Sequence, residues 1–203
     1  MQRLDTLADI RMGATLRGRD ATRAVPSGSC QFLRIGDISQ DGELLTDKLI
    51  RIEPNEPVND DLFLRSGDVL FPNRGARTTA LVYRLDQPRT LVGAQFFVLR
   101  PDVTRVLPEY LAWFLRTDEA ARYFEVRRKG SYVQLIQRSD LADMELPAPP
   151  LAVQRRTVET AGLALRERIL SERLASLKWK LAKGLLLKAC CNHSEIKSKE
   201  SSK

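Results

Sequence analysis

The sequence predicts an α+β protein: a mixed globular region with small β-sheets, followed by one long helix of the coiled-coil type. Short apolar segments separated by glycine- and asparagine-containing turns fill residues 30–101, which is typical of strands. Helical spacing replaces this pattern after Pro108, and a second, longer helical pattern follows the prolines at 147–150. A chain of 203 residues can hold one such domain and an appended helix.

The strand region follows a basic segment, Arg11–Ser29, whose glycines and arginines predict a flexible loop. Within the strand region, Gly93 indicates a bulge or a close backbone approach. We expect no internal repeat. The segments predicted to be strands or extended chain are residues 30–38, 43–52, 69–71, 79–85 and 90–101.

Residues 108–130 predict a single helix, in which Leu111 and Phe114 share one face and Gly130 ends the helix. Residues 131–150 predict short extended chain with one turn. A domain boundary is expected at the proline cluster, because adjacent prolines interrupt a preceding helix or strand but suit the first turn of a new helix.

The last predicted element is a helix over Leu151–Lys188, about 57 Å long at roughly 1.5 Å per residue. Its leucines recur in steps of three, four and seven, which indicates a seam that packs lengthwise against another helix. Glu167 and Gly184 also fall on this seam. The helix either lies across its own domain or contacts a second molecule, and its length favours the second interpretation. The seam leucines are Leu163, Leu170, Leu174, Leu177 and Leu181.

The formal net charge of +7 is concentrated on this helix. Residues 155–188 carry nine basic and three acidic side chains, whereas residues 1–100 carry 14 and 13. Such a helix suits a polyanion or an acidic partner surface, although a solvated lysine-rich face is the simpler alternative.

The cysteines and the single histidine argue against a disulfide framework and against a metal site. Cys190 and Cys191 are adjacent, and His193 has no second pair of ligands elsewhere in the chain. We therefore expect residues 189–203 to form a disordered tail. The chain contains no apolar run of membrane-spanning length and no signal-peptide pattern at its N-terminus, so a cytoplasmic protein without membrane association is expected.

The residues do not predict an enzyme, and no cofactor is expected. A Ser/His/Asp set is excluded because the only histidine, His193, lies in the predicted tail. The PAPP sequence of residues 147–150 lacks the Asn or Asp with which amino-methyltransferases hold the target amine. No glycine-rich turn between a strand and a helix offers a site for S-adenosylmethionine.

Three polar loop clusters carry the groups that bind DNA, since arginine pairs with phosphates and guanine, and asparagine and glutamine pair with adenine. Each cluster has a simpler interpretation as solvated loop charge, or, for Tyr132, as a core aromatic. The candidate residues are Arg17, Arg19 and Arg23; Asn73, Arg74 and Arg77; and Arg127, Arg128, Lys129, Ser131, Tyr132 and Gln134.

Several short sequence motifs, and the order in which they occur, resemble the DNA specificity domain of type I restriction–modification S subunits. The junction LPAPPLAVQRRTV, residues 146–158, has the proline pair, leucine and helix-opening glutamine of that family, with Val153 where an acidic residue is usual. LRSGDVLF at residues 64–71, and PEYLAWFL at residues 108–115 with its later Gly-Ser, also match. The resemblance covers about residues 1–188.

The resemblance implies a target recognition domain over residues 1–147, a spacer helix over 148–188 and a tail over 189–203. It implies that the chain recognises a half-site in double-stranded DNA and docks a methyltransferase (M) subunit, with the restriction (R) subunit as a further candidate partner; DNA methylation and cleavage belong to those partners. Complete S subunits have two recognition domains and two spacer helices, so this chain resembles a half subunit and is expected to form an antiparallel homodimer.

Two alternatives stay open. The chain is either a specificity subunit or a non-catalytic protein–protein adapter, including a degenerate specificity fragment, which binds a partner through the long helix without reading DNA. An autonomous nuclease or methyltransferase is a third and less favoured possibility.

Overall fold

The computed structural model describes residues 1–18, 22–39, 41–45, 49–74, 79–85, 89–127 and 135–200, and for residues 189–200 it describes only the helical backbone. The chain divides into two compact units, Met1–Val158 and Glu159–Lys203. The first unit is mixed α+β with small sheets, and a long helix ends the chain, so the predicted fold class is confirmed.

The strands are short and the helices lie mainly in the second half of the chain. Single turns of 3-10 helix occur at Leu4–Thr6, Ile35–Asp37 and Asp60–Leu62. The strands are β1 (Gln2–Arg3), β2 (Ala8–Met12), β3 (Cys30–Leu33), β4 (Ile50–Ile52), β5 (Val69–Pro72), β6 (Leu81–Val82), β7 (Thr90–Val92), β8 (Phe96–Pro101) and β9 (Glu145–Leu146). The helices are α1 (Pro108–Leu115), α2 (Asp118–Glu125), α3 (Arg138–Ala142) and α4 (Leu151–Glu200).

A four-stranded antiparallel sheet in the order β2-β8-β5-β6 forms the centre of the first unit. A three-stranded sheet has the order β4-β3-β7, in which β3 is antiparallel to β4 and parallel to β7. β1 pairs with β9 and so joins the start of the chain to the segment that precedes α4.

The central sheet is covered on both faces, as its continuous apolar strands require. Alternate side chains point to opposite faces of a strand. Phe71 and Leu99 therefore pack with α1 and α2 in one core cluster. Leu70 and Val98 pack in a second cluster, which includes Leu33 of β3.

Several predicted elements differ from the structure. The strand predicted over 30–38 ends at Leu33 and is followed by the 3-10 turn Ile35–Asp37. The helix predicted over residues 108–130 is two helices, because Thr117 caps α2 by accepting a hydrogen bond from the Ala120 N–H at 3.3 Å. The strand predicted over 90–101 is interrupted by a turn, in which the Phe96 N–H donates to the Gly93 carbonyl at 3.1 Å. α3 was predicted as extended chain, and its buried Leu141 holds it against the core.

A seven-residue motif occurs in two copies that agree at five positions, and the motif was not selected from the sequence. Phe32–Ile38 reads FLRIGDI and Phe63–Val69 reads FLRSGDV. In both copies the leucine is buried in the same core cluster. In both copies the aspartate accepts a 2.8 Å hydrogen bond from the backbone N–H of the arginine three residues before it. Both copies therefore form a turn closed by this hydrogen bond, but the backbone differs: the first is the 3-10 turn Ile35–Asp37, whereas the glycine of the second, Gly67, has a positive φ.

The second copy of this turn is tied to the central sheet by an ion pair. Asp68 is 1% exposed, and both of its carboxylate oxygens accept from the Arg100 guanidinium at 2.8 Å. The hydrogen bonds that Arg100 donates to Asp68 raise the pKa of the Arg100 guanidinium. Gly67 precedes the aspartate with a φ of 93°, a conformation that favours glycine.

The first turn of α4 is fixed within the first unit by the fully buried amide of Gln154. Its Oε1 accepts from the Leu107 N–H at 2.9 Å, and its Nε2 donates to the carbonyls of Arg105 at 2.9 Å and Pro149 at 2.8 Å. One side chain therefore satisfies a donor at the start of α1 and two acceptors in neighbouring turns.

The second unit contains the rest of α4, and the seam leucines are 53–70% exposed. The helix extends past Lys188, where the sequence predicts its end. The predicted disordered tail, residues 189–203, lies where the structure describes no side chains. Across the described residues, no helix is both long and apolar enough to cross a membrane.

Gln154→Leu should lower the free energy of unfolding of the first unit by about 3 kcal/mol, because three hydrogen bonds made by a fully buried amide are lost. Urea unfolding would be followed by Trp113 fluorescence in a Trp179→Phe background, so that the signal comes from α1. Arg155→Leu, on the same turn but exposed, is the control and should change stability by less than about 0.5 kcal/mol. Equal stability of the two variants would contradict the role of the amide.

Candidate DNA-binding surface

The main candidate site is a recess of about 430 Å³ in the first unit, which we call the two-arginine recess. Ala14 and Phe32 are buried and make part of the lining apolar. The polar and charged groups that line it are Thr15, Thr22, Arg34, Arg74 and Gln95. Leu16, Gly93 and Ala94 complete the lining.

Close backbone contact brings the segment after β2 to this recess. The Gly13 N–H donates to the Phe96 carbonyl at 2.9 Å, and the Ala14 N–H donates to the Val92 carbonyl at 2.7 Å. A Cβ atom at Gly13 would lie 2.3 Å from the Gly93 carbonyl oxygen, so glycine is required there. The close approach predicted at Gly93 is therefore present.

Asn73 fixes the backbone beside Arg74 and is itself buried, with 4% of its surface exposed. Its N–H donates to the Gln95 carbonyl at 2.9 Å, and its Nδ2 donates to the Ala94 carbonyl at 2.8 Å. Its own carbonyl accepts from the Ile136 N–H at 3.0 Å. Asn73 thus has a supporting position inside the fold, whereas Arg74 is exposed.

Arg34 is the second arginine of the recess, and Asp37 orients it. The Arg34 Nη2 lies 3.1 Å from Asp37 Oδ1, and its Nε lies 3.4 Å from Oδ2. Asp37 is buried, while the Arg34 side chain is 52% exposed. The guanidinium is therefore held along one edge and open to solvent elsewhere.

The structure brings parts of the first two predicted clusters together. Arg17 and Arg23 are exposed, and Leu16 and Thr22, their neighbours in sequence, line the recess with Arg74. Arg19 and Arg77 lie outside the described residues. The Arg17 carbonyl accepts from Asn55 Nδ2 at 2.9 Å, which holds the backbone of the first cluster.

Arg127, the first residue of the third predicted cluster, lies beside a cavity that is lined by carboxylates. Arg127 stacks on the Tyr123 ring at 3.7 Å and donates to the Tyr123 carbonyl at 3.1 Å. The cavity beside it, of about 420 Å³, is also lined by three carboxylates, those of Asp140, Asp143 and Glu145. Burial raises the pKa of the Tyr123 hydroxyl. The remaining predicted residues, Arg128, Lys129, Ser131, Tyr132 and Gln134, lie outside the described residues.

Sequence reasoning did not select Arg34 or Gln95. The signal for Arg34 was available, since FLRIGDI repeats FLRSGDV and the arginine follows a buried strand. Gln95 had no such signal, because it reaches the recess only through the turn between β7 and β8.

No protein-family model matches this sequence, and no curated protein matches it. Solved structures show that the fold of the chain is that of type I restriction–modification specificity subunits. The HsdS subunit from Thermoanaerobacter tengcongensis aligns with a TM-score of 0.58 and 23% identity, over 81% of this chain and 36% of that one.

Two further structures agree. The type I restriction–modification S subunit from M. genitalium aligns with a TM-score of 0.54 and 17% identity, over 87% of this chain and 40% of its own. A chain from a study of assembly and conformational transition of the type I R-M system aligns with a TM-score of 0.61 and 23% identity. The alignment covers 87% of this chain and 42% of that one. This chain thus spans about two fifths of the length of these neighbours, and the resemblance seen in the sequence is confirmed as one of fold.

Asn73→Ala should lower the free energy of unfolding of the first unit by about 1–3 kcal/mol, since the buried Asn73 amide and its hydrogen bond to the Ala94 carbonyl are lost. Arg74→Ala is the adjacent control and should leave stability nearly unchanged, because its side chain is exposed. Urea unfolding followed by Trp113 fluorescence, with Trp179 replaced by phenylalanine, compares the two. A larger loss of unfolding free energy for Arg74→Ala than for Asn73→Ala would contradict the supporting role of Asn73.

Proposed function

We propose that this protein is the DNA-reading component of a type I restriction–modification system. The observation that carries the proposal is the two-arginine recess, on a fold shared with specificity subunits. Arginine forks and a glutamine amide are the groups that read base edges, and an apolar lining suits the thymine methyl group. The first unit would thus recognise one half-site in duplex DNA.

The protein is proposed to be non-catalytic, with methylation and cleavage carried out by M and R subunits that it recruits. The residues support this proposal, because residues 147–150 lack the Asn or Asp with which amino-methyltransferases hold the target amine, and no glycine-rich turn between a strand and a helix offers a site for S-adenosylmethionine. The three structural neighbours are described as S or HsdS subunits or as part of the type I system, not as methyltransferases or nucleases.

The helix of the second unit is proposed to form an antiparallel homodimer and to dock the M subunit. Its seam leucines are largely exposed, and a two-fold dimer buries the same patch on both copies. Its three acidic residues between 155 and 188 all precede Arg173, whereas five basic residues and no acid lie in Arg173–Lys188. An antiparallel pair therefore places the acid-containing half of each copy against the basic half of the other.

A protein–protein adapter is the second candidate function, and the charge distribution favours it. Most of the excess positive charge lies on residues 155–188 rather than on the first unit. An adapter would bind a partner through α4 and show no sequence preference on DNA.

A gel-shift experiment against random and selected duplex pools, with and without an M subunit, tests the main proposal. Wild-type protein should enrich a defined sequence, and Arg74→Ala should weaken binding to it by about 1–3 kcal/mol. Arg122→Ala, an exposed arginine of α2, is the control and should bind like the wild type. Binding of the M subunit without any enriched sequence would instead support the adapter.

Sedimentation tests the dimer. Wild-type protein should sediment as a dimer at micromolar concentration, and Leu170→Glu with Leu177→Glu should sediment as a monomer, because two carboxylates on each seam cannot be buried. Ala175→Glu with Ala182→Glu has the same charge and spacing off the seam and should stay dimeric. A wild type that is monomeric both alone and on DNA would leave the helix as a partner-binding element only.

A further inference from the structure

We infer that Arg34 is a specificity-determining residue that reads a guanine edge in the DNA major groove, and that Asp37 is the residue that positions it. This inference rests on the proposed function and adds to it a residue that neither charge clustering nor the comparisons select. It starts from the repeated motif FLR-x-GD, whose two copies share the aspartate-to-backbone hydrogen bond but differ in backbone conformation and in the environment of the arginine.

The hydrogen bonds to Asp37 leave a defined part of the guanidinium available. The carboxylate occupies the Nε–Nη2 edge of Arg34, with contacts of 3.4 and 3.1 Å. The end of the fork, formed by Nη1 and the second Nη2 hydrogen, is a planar pair of donors. Such a pair matches the O6 and N7 acceptors of guanine. Because the carboxylate already restricts the side chain, less conformational freedom is lost when the fork binds.

The surroundings of Arg34 favour a base edge over a phosphate. Asp37 offsets the charge of Arg34, and this pairing weakens attraction to a phosphate but leaves the directional donors in place. Phe32 and Leu16 give the same recess an apolar lining, which suits a base edge or a thymine methyl group. Gln95 and Arg74 line the recess as well and could contact neighbouring bases.

Arg65, in the second copy of the motif, is a natural matched control. Its aspartate, Asp68, makes the same backbone hydrogen bond but binds Arg100 with both oxygens. The Arg65 side chain is exposed, lies 3.6 Å from Asp61 and does not line the recess. The first copy thus orients its own arginine, while the second uses its aspartate to tie the turn to β8.

The test is selection from a randomised duplex pool with the full-length protein, followed by affinity measurements on the selected site. The variants are Arg34→Ala, Arg34→Lys, Asp37→Asn and Arg65→Ala. The wild type should enrich a sequence that contains a required guanine. Arg34→Ala should lose the preference at that base pair and bind the selected site roughly 5- to 150-fold more weakly. Arg34→Lys should also lose the preference, because an ammonium group does not reproduce the planar fork.

The two other variants test whether the effect is specific to Arg34 and whether Asp37 positions it. Arg65→Ala should retain the wild-type sequence and affinity. Asp37→Asn should keep the backbone hydrogen bond to the turn but show a weaker preference for the same guanine. Thermal unfolding of each variant separates loss of reading from loss of folding, and Arg34→Lys carries the test if Arg34→Ala does not fold.

Two results would overturn the inference and leave the proposed function intact. One is an unchanged selected sequence and affinity in Arg34→Ala. The other is a uniform loss of affinity across sequences that Arg34→Lys restores, with a salt slope reduced by about 1, which is the behaviour of a phosphate contact. A wild type that enriches no sequence would overturn the proposed function and this inference together.

Discussion

The buried amide of Gln154 is the interaction on which the arrangement of the first unit's helical half depends. It joins α1, the turn before α1 and the proline segment through three hydrogen bonds of 2.8–2.9 Å. Both the donor and the acceptor of the amide are used, so neither a carboxylate nor an apolar side chain can replace it. The prolines at 149 and 150 allow a helix to begin, but the glutamine determines where its first turn is held. The structure therefore gives a physical reason for a glutamine in the junction phrase.

The sequence was sufficient to predict the fold class and the long helix, because both depend on local periodicity. Leucine spacing specifies α4, and continuous apolar runs specify β5 and β8. The break between α1 and α2 was not predicted, although its cause, the Thr117 cap, is local. The presence of α3 was not predicted, since it depends on contacts across the fold. The Tyr123 hydroxyl, for example, donates to the Asp140 carbonyl at 2.9 Å and so ties α2 to α3. Spacing within a segment carries no information about such a contact.

The candidate site was predicted only in part, for a related reason. Clusters of loop charge drew attention to Arg74, but they gave equal weight to Asn73, which is buried, and to Arg127, which stacks on Tyr123. The two-arginine recess is built from segments around residues 14, 34, 74 and 94. The pairing of β3 with β7, the contact of Ala14 with Gly93 and the hydrogen bonds from Asn73 to the segment around residue 94 bring these segments together. Charge density along the chain could not reveal that assembly.

The near balance of charge in residues 1–100 supports recognition by geometry more than by attraction. Phosphate contacts depend on net positive charge and are largely insensitive to sequence. Base contacts need donors in a fixed direction, and a neighbouring carboxylate can supply that direction, as Asp37 does for Arg34. A first unit with compensated charge would bind random DNA weakly and gain most of its affinity from the correct base pairs. Under the proposed function, the excess positive charge on residues 155–188 would serve separately to hold partners, so this charge distribution is compatible with a specificity subunit as well as with an adapter.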